Sequence, residues 1–76
     1  TNINYALPEV ADVKLIVYDL TGREIRTLRD ATQSAGWYQL KWDGLDDNGS
    51  PVNSGVYFTR LQAGSDVRTI KMINLK

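Results

Sequence analysis

The feature that most constrains this chain is an apolar residue at every second position, repeated in short runs. In NINYALP, Ile3, Tyr5 and Leu7 fall on one side. DVKLIVYDL sets Val13, Leu15 and Val17 against Lys14, Ile16 and Tyr18. GWYQLKWDG sets Tyr38, Leu40 and Trp42 against Trp37, Gln39 and Lys41, and GVYFTRLQA sets Tyr57, Thr59 and Leu61 against Val56, Phe58 and Arg60. EIRTLRD is shorter and more polar and reads as an edge strand. DVRTIKMINLK offers Val67, Ile70, Met72 and Ile73 with a looser alternation. A period of two is that of a strand with one buried face, and no segment carries a helical stripe. Runs rich in Val, Ile, Tyr and Thr, recurring about every ten residues, predict an all-β fold. The expected architecture is an immunoglobulin/fibronectin-like antiparallel β-sandwich of about seven short strands. A small closed barrel fits the same spacing and is the alternative.

Turn chemistry agrees with this reading. In YDLTGRE, Asp19 suits the first position of a type I turn and Gly22 the fourth, which predicts a tight hairpin between the second and third strands. QAGSD around Gly64 predicts a second hairpin between the last two. ATQSAG reads as a polar connector ending in Gly36, and Pro8 ends the first strand, where its missing N–H does little harm. The longest connector lies within WDGLDDNGSPVNSGVYF, from Trp42 to Phe58.

Residue content narrows the function. A length of 76 residues supports one domain, residues 1–76, with a thin core. The chain has no Cys and no His, which removes disulfides, zinc–thiolate sites, thiol catalysis and the commonest general base. Nine basic and nine acidic side chains cancel, so nucleic acid is not an expected partner. No apolar run approaches the roughly 20 residues of a membrane-spanning helix.

Three constellations could carry chemistry. Asp43, Asp46, Asp47 and Asn48 offer the oxygen ligands that Ca²⁺ uses, with Gly44 and Gly49 for sharp turns. The spacing is not that of an EF-hand, and Asp, Asn and Gly are also what any long turn demands, so a plain structural loop is expected and no cofactor. Trp37, Tyr38, Trp42, Tyr57 and Phe58 could stack on sugars. Alternation instead sends Tyr38 and Trp42 to the core and Trp37 outward. Of Arg60, Arg68, Lys71 and Lys76, some would lie together on the outer face of a terminal hairpin, and a solvated face that also discourages edge pairing is the expected role. Asp46 and Asp47 are neighbours in a loop, without the cleft that paired acid–base carboxylates need, so no catalytic activity is expected.

Taken together, "VYDLTGREIRTL", "AGWYQLKWDG", "SGVYFTRL" and the terminal "KMINLK" resemble the C-terminal Ig-like modules of secreted bacterial proteins. Two overlapping groups share the pattern: the type A sorting domain of the type IX secretion system, and the Ig-like domain named after the flagellar hook-capping protein. The resemblance covers essentially the whole chain. The sorting group implies a non-catalytic signal that carries an N-terminal cargo domain through the periplasm to the cell surface. Its implied partners are an outer-membrane translocon and a surface peptidase. It also implies a recognition role for Gly55, Val56, Tyr57, Lys71, Met72 and Lys76; on physical grounds strand addition at the last strand is the expected contact. The ending NLK would fit a protein C-terminus. The long connector is closer to the hook-cap variety, which implies instead a structural spacer or assembly module. The sorting role is the leading expectation.

Overall fold

The computed structural model describes residues 2–75. Six strands follow one another: β1 (Asn2–Leu7), β2 (Ala11–Tyr18), β3 (Glu24–Gln33), β4 (Gly36–Lys41), β5 (Gly55–Ala63) and β6 (Asp66–Asn74). One antiparallel sheet has the order β3-β2-β5-β6, and β1 pairs with β4 in a second sheet of two strands. Among the described residues no ladder joins the two sheets, so the fold is a sandwich and not a closed barrel. About seven strands were expected. Between β4 and β5 there is only a lone bridge, Leu45 to Pro51.

The core lies between the inner faces. Ile3, Tyr5 and Leu7 of β1 meet Val13, Leu15 and Val17 of β2, Tyr57 and Leu61 of β5, and Met72 of β6. Each of these sets but the last follows the predicted alternation, because a strand with one wet face must send alternate side chains inward. Thr59 is buried among them, and its hydroxyl donates to the Met72 Sδ at 3.0 Å. The second sheet is thinner. Tyr38 and Leu40 of β4 are half-buried against the core, where full burial was expected, because two strands cannot cover both flanks. Tyr38 stacks on Tyr5, its cross-strand neighbour, at a centroid distance of 5.2 Å. The Tyr5 hydroxyl crosses the sandwich to Gln33 at the end of β3. Trp37 points outward and is 90 % exposed.

β3 departs most from expectation. It takes in Ala31, Thr32 and Gln33, residues assigned to a connector, because β2 continues to Ala11 and pairs there with Gln33. The β2–β3 register shifts twice. Leu15 faces Arg29 while Ile16 faces Thr27, and Val17 faces Arg26 while Tyr18 faces Glu24, so Leu28 and Ile25 are the extra residues. A bulge changes which face the following residue takes. Ile25 and Leu28, three apart, can therefore both pack against the core. Strict alternation would have separated them.

Burial should decide the cost of a substitution here more than hydrophobicity does. Leu15→Ala removes a fully buried side chain, and about 2–5 kcal/mol of stability should go with it. Trp37→Ala should stay within about 0.5 kcal/mol of the parent. Urea unfolding followed by circular dichroism will show both.

Candidate functional site

At one end of the sandwich the β2–β3 turn, the Asp-rich β4–β5 connector and the start of β5 converge. An open groove of about 440 Å³ lies there, with Asp19, Arg23, Asp46, Asn53 and Tyr57 in its lining.

Two turns of the same build flank the groove. In Asp19–Arg23 the Asp19 carbonyl accepts from the Gly22 N–H at 3.1 Å, and the Asp19 N–H donates to the Arg23 carbonyl at 3.0 Å. One carboxylate oxygen accepts the N–H groups of Thr21 and Arg23, at 2.9 and 3.0 Å. In Asp46–Ser50 the Asp46 carbonyl accepts from Gly49 at 3.0 Å, and the Asp46 N–H donates to the Ser50 carbonyl at 2.9 Å. Its Oδ1 accepts the N–H groups of Asn48 and Ser50, both at 2.9 Å. Gly22 and Gly49 sit at φ 87° and 81°, where a side chain would be strained. DLTGR and DDNGS are thus one turn written twice. An Asp side chain organises each by standing in for a backbone carbonyl.

The rest of the connector is tied down in the same way. Asp43 Oδ1 accepts the Leu45 N–H at 3.1 Å, and the Val52 N–H reaches the Gly44 carbonyl at 2.9 Å. Asp47 pairs with the free edge of β3: its N–H donates to the Ile25 carbonyl at 3.0 Å, and its Oδ1 accepts the Thr27 N–H at 2.9 Å. Arg26 donates from one guanidinium nitrogen to Asp43 Oδ1 and to the carbonyls of Leu45 and Asp46, at 3.3–3.4 Å. The roles of Arg26 and Asp47 were missed in the sequence, where only their separation of about twenty positions was visible. Asp43, Asp46 and Asp47 each accept backbone N–H groups, and Asn48 gives its N–H to Asp46. Among the described residues no group of three or more His, Cys, Asp or Glu is placed to hold a metal ion.

The residues linked to recognition divide between the two faces. Gly55, Val56 and Tyr57 lie directly opposite Asn74, Ile73 and Met72 on β6. Tyr57 and Met72 are buried in the core, and Lys71 is exposed on the outer face opposite Phe58. Lys76 lies outside the described residues. Of the cations, Arg60 and Lys71 share the outer face, since their partners are Thr69 and Phe58. Arg68 stands opposite Leu61 on the other face, so of these cations Arg60 and Lys71 are the ones on the outer face among the described residues.

The G-x-Y unit has a packing role, and it too occurs twice. The Tyr57 hydroxyl donates to the Asn53 carbonyl at 2.7 Å, and the Tyr38 hydroxyl to the Ser34 carbonyl at 2.6 Å. Each bond runs from the third residue of a strand to a carbonyl four residues upstream, as in the tyrosine corner of Ig sandwiches. The glycine between, Gly55 or Gly36, takes φ 154° or 153°. The Trp42 ring meets Tyr57 edge-on at 5.1 Å, and its Nε1 donates to the Leu45 carbonyl at 3.0 Å.

Two measurements follow. Tyr57→Phe keeps the ring but leaves the Asn53 carbonyl without that donor, at a cost of about 1 kcal/mol in chemical unfolding. Asp19 is held below its ordinary 3.8, foremost by the Thr21 hydroxyl, with the N–H groups of Arg23 and Thr21 and the Arg23 guanidinium adding to it. A carboxylate with a lowered folded pKa stabilises the fold above its unfolded pKa and loses that contribution as pH falls through the folded one. Asp19→Asn should therefore be less stable at neutral pH and should lose part of the acid-side decline in melting temperature.

The comparisons bear on which of the two resembling groups applies. The family model of the FlgD Ig-like domain matches residues 1–71. The solved structure of FlgD from P. aeruginosa superposes with a TM-score of 0.72 at 27 % identity, over 95 % of this chain and 55 % of that one. The chain thus spans little more than half the length of that protein. No curated protein matches the chain. These matches overturn the sorting-module expectation. The family found is the hook-capping one, and the connector that separates the two groups in sequence forms the second Asp turn and the β3 cap. By the match across residues 1–71, the chain belongs to the FlgD Ig-like domain family.

Proposed function

We propose that this chain is a non-catalytic structural Ig-like module of a flagellar hook-type protein, working outside the cell. The observation that carries the reading is the family match over residues 1–71, joined by the likeness to FlgD from P. aeruginosa. The geometry supports it. The carboxylates that might do chemistry are engaged with backbone N–H groups, and the G-x-Y tyrosine is a strand anchor. What the module presents is a firm surface: two sheet faces and one capped edge.

The test is genetic and structural. An in-frame deletion of residues 1–76 in the parent bacterium should leave hooks absent or truncated in electron micrographs, with the shortened parent protein still made. Normal hooks and normal swimming in that strain would overturn the proposal.

A further inference from the structure

The two edges of the four-stranded sheet are treated differently. Edge strands present unpaired N–H and C=O groups, and proteins usually blunt them with bulges, prolines or a covering segment. β3 has two bulges, and Asp47 occupies its backbone at Ile25 and Thr27. β6 has neither device. It pairs with β5 over nine consecutive residues without a register shift, from Gly55 opposite Asn74 to Ala63 opposite Asp66, and it contains no proline. Among the described residues its other edge pairs with no strand. Two large apolar residues also stand on its outer face, Val67 at 51 % and Ile73 at 57 % exposure.

We propose that the free edge of β6 joins two copies of this chain, strand to antiparallel strand, about a two-fold axis at Ile70. The side chains select both the occupant and the register. A centre at Arg68 or at Lys71 would set like charges directly opposite, which is destabilising. A centre at Thr69 would place Val67 against Lys71 and leave the last residues of β6 outside the pairing. A centre at Ile70 pairs every residue of Asp66–Asn74. It sets Val67 against Ile73 twice, Arg68 against Met72 and Lys71 against Thr69, so no like charges are directly opposite. All these pairs keep inner faces with inner faces, so the two sheets become one of eight strands with both cores on the same side. The two cations on β6, which guard against most registers, leave this one open. The inference rests on the edge itself and holds whatever the parent protein builds.

Sedimentation velocity of the 76-residue chain, from about 10 µM to about 1 mM, should show a reversible dimer. The Val67→Lys/Ile73→Lys double variant changes only exposed positions. It should dimerise at least about tenfold more weakly, with an unchanged melting temperature in dilute solution. Thr69→Glu should tighten the dimer about threefold, by facing Lys71 of the other copy at two symmetric places. The chain has no cysteine, so the register can be read by cross-linking. An oxidised mixture of Val67→Cys and Ile73→Cys chains should form a mixed disulfide, while neither variant alone should cross-link. A monomer throughout the concentration range would overturn the proposal. So would a dimer indifferent to the lysine pair, or one in which Val67→Cys cross-links with itself.

Discussion

The contact between Trp42 and Tyr57 holds the arrangement together. Trp42 leaves the two-stranded sheet just past β4, and Tyr57 lies near the start of β5 in the other sheet, so their edge-on meeting at 5.1 Å spans the sandwich. Each ring also has a polar end, and each end holds the connector between them: Nε1 at the Leu45 carbonyl, the hydroxyl at the Asn53 carbonyl. A long flexible segment must lose conformational entropy when its ends are fixed. Here the two rings that fix those ends are themselves packed together, so the surface they bury helps offset that loss. In a domain this small, aromatic side chains supply an outsized share of the buried area.

The connector then organises what lies beyond it. Asp46 closes its own turn, and Asp47 and Arg26 bind the connector to β3. A carboxylate accepting N–H groups forms charge-assisted bonds, stronger than those between neutral partners. Three of them, with one guanidinium, give shape to a stretch that has little apolar surface of its own to bury. The same residue types suggest a cation site in sequence because Ca²⁺ and backbone N–H groups both seek carboxylate oxygens. Only spatial arrangement distinguishes the two uses.

The inner faces of β1, β2 and β5 were legible because alternation and burial coincide where a ladder is regular. Ile3, Tyr5 and Leu7 are all buried, as are Val13, Leu15 and Val17. The Asp19–Gly22 turn was legible because its chemistry is local. β3 was not, since its bulges uncouple face from parity and Ile25 and Leu28 look misplaced in a polar run. Nor was the pairing of Arg26 and Asp47 with distant residues, which depends on how the connector folds back. Asp46–Ser50 shows the boundary between the two cases. Its Asn-Gly step was readable, but its identity with Asp19–Arg23 emerged only when both sets of hydrogen bonds could be compared.

Connector length therefore links fold to role. A short link could join β4 to β5, but it would not reach β3, whose edge would then keep its two bulges and lose the bonds of Asp47 at Ile25 and Thr27. With the long connector in place, the β3 edge is bulged twice and occupied at Ile25 and Thr27, and the β6 edge is left available. A sheet with two open edges can add strands without limit, which leads to filaments or aggregation. A sheet with one open edge can form only a closed pair at that edge, or accept a single added strand. The Asp-rich segment thus works against strand pairing at the β3 edge of the four-stranded sheet, which suits a module whose proposed task is assembly.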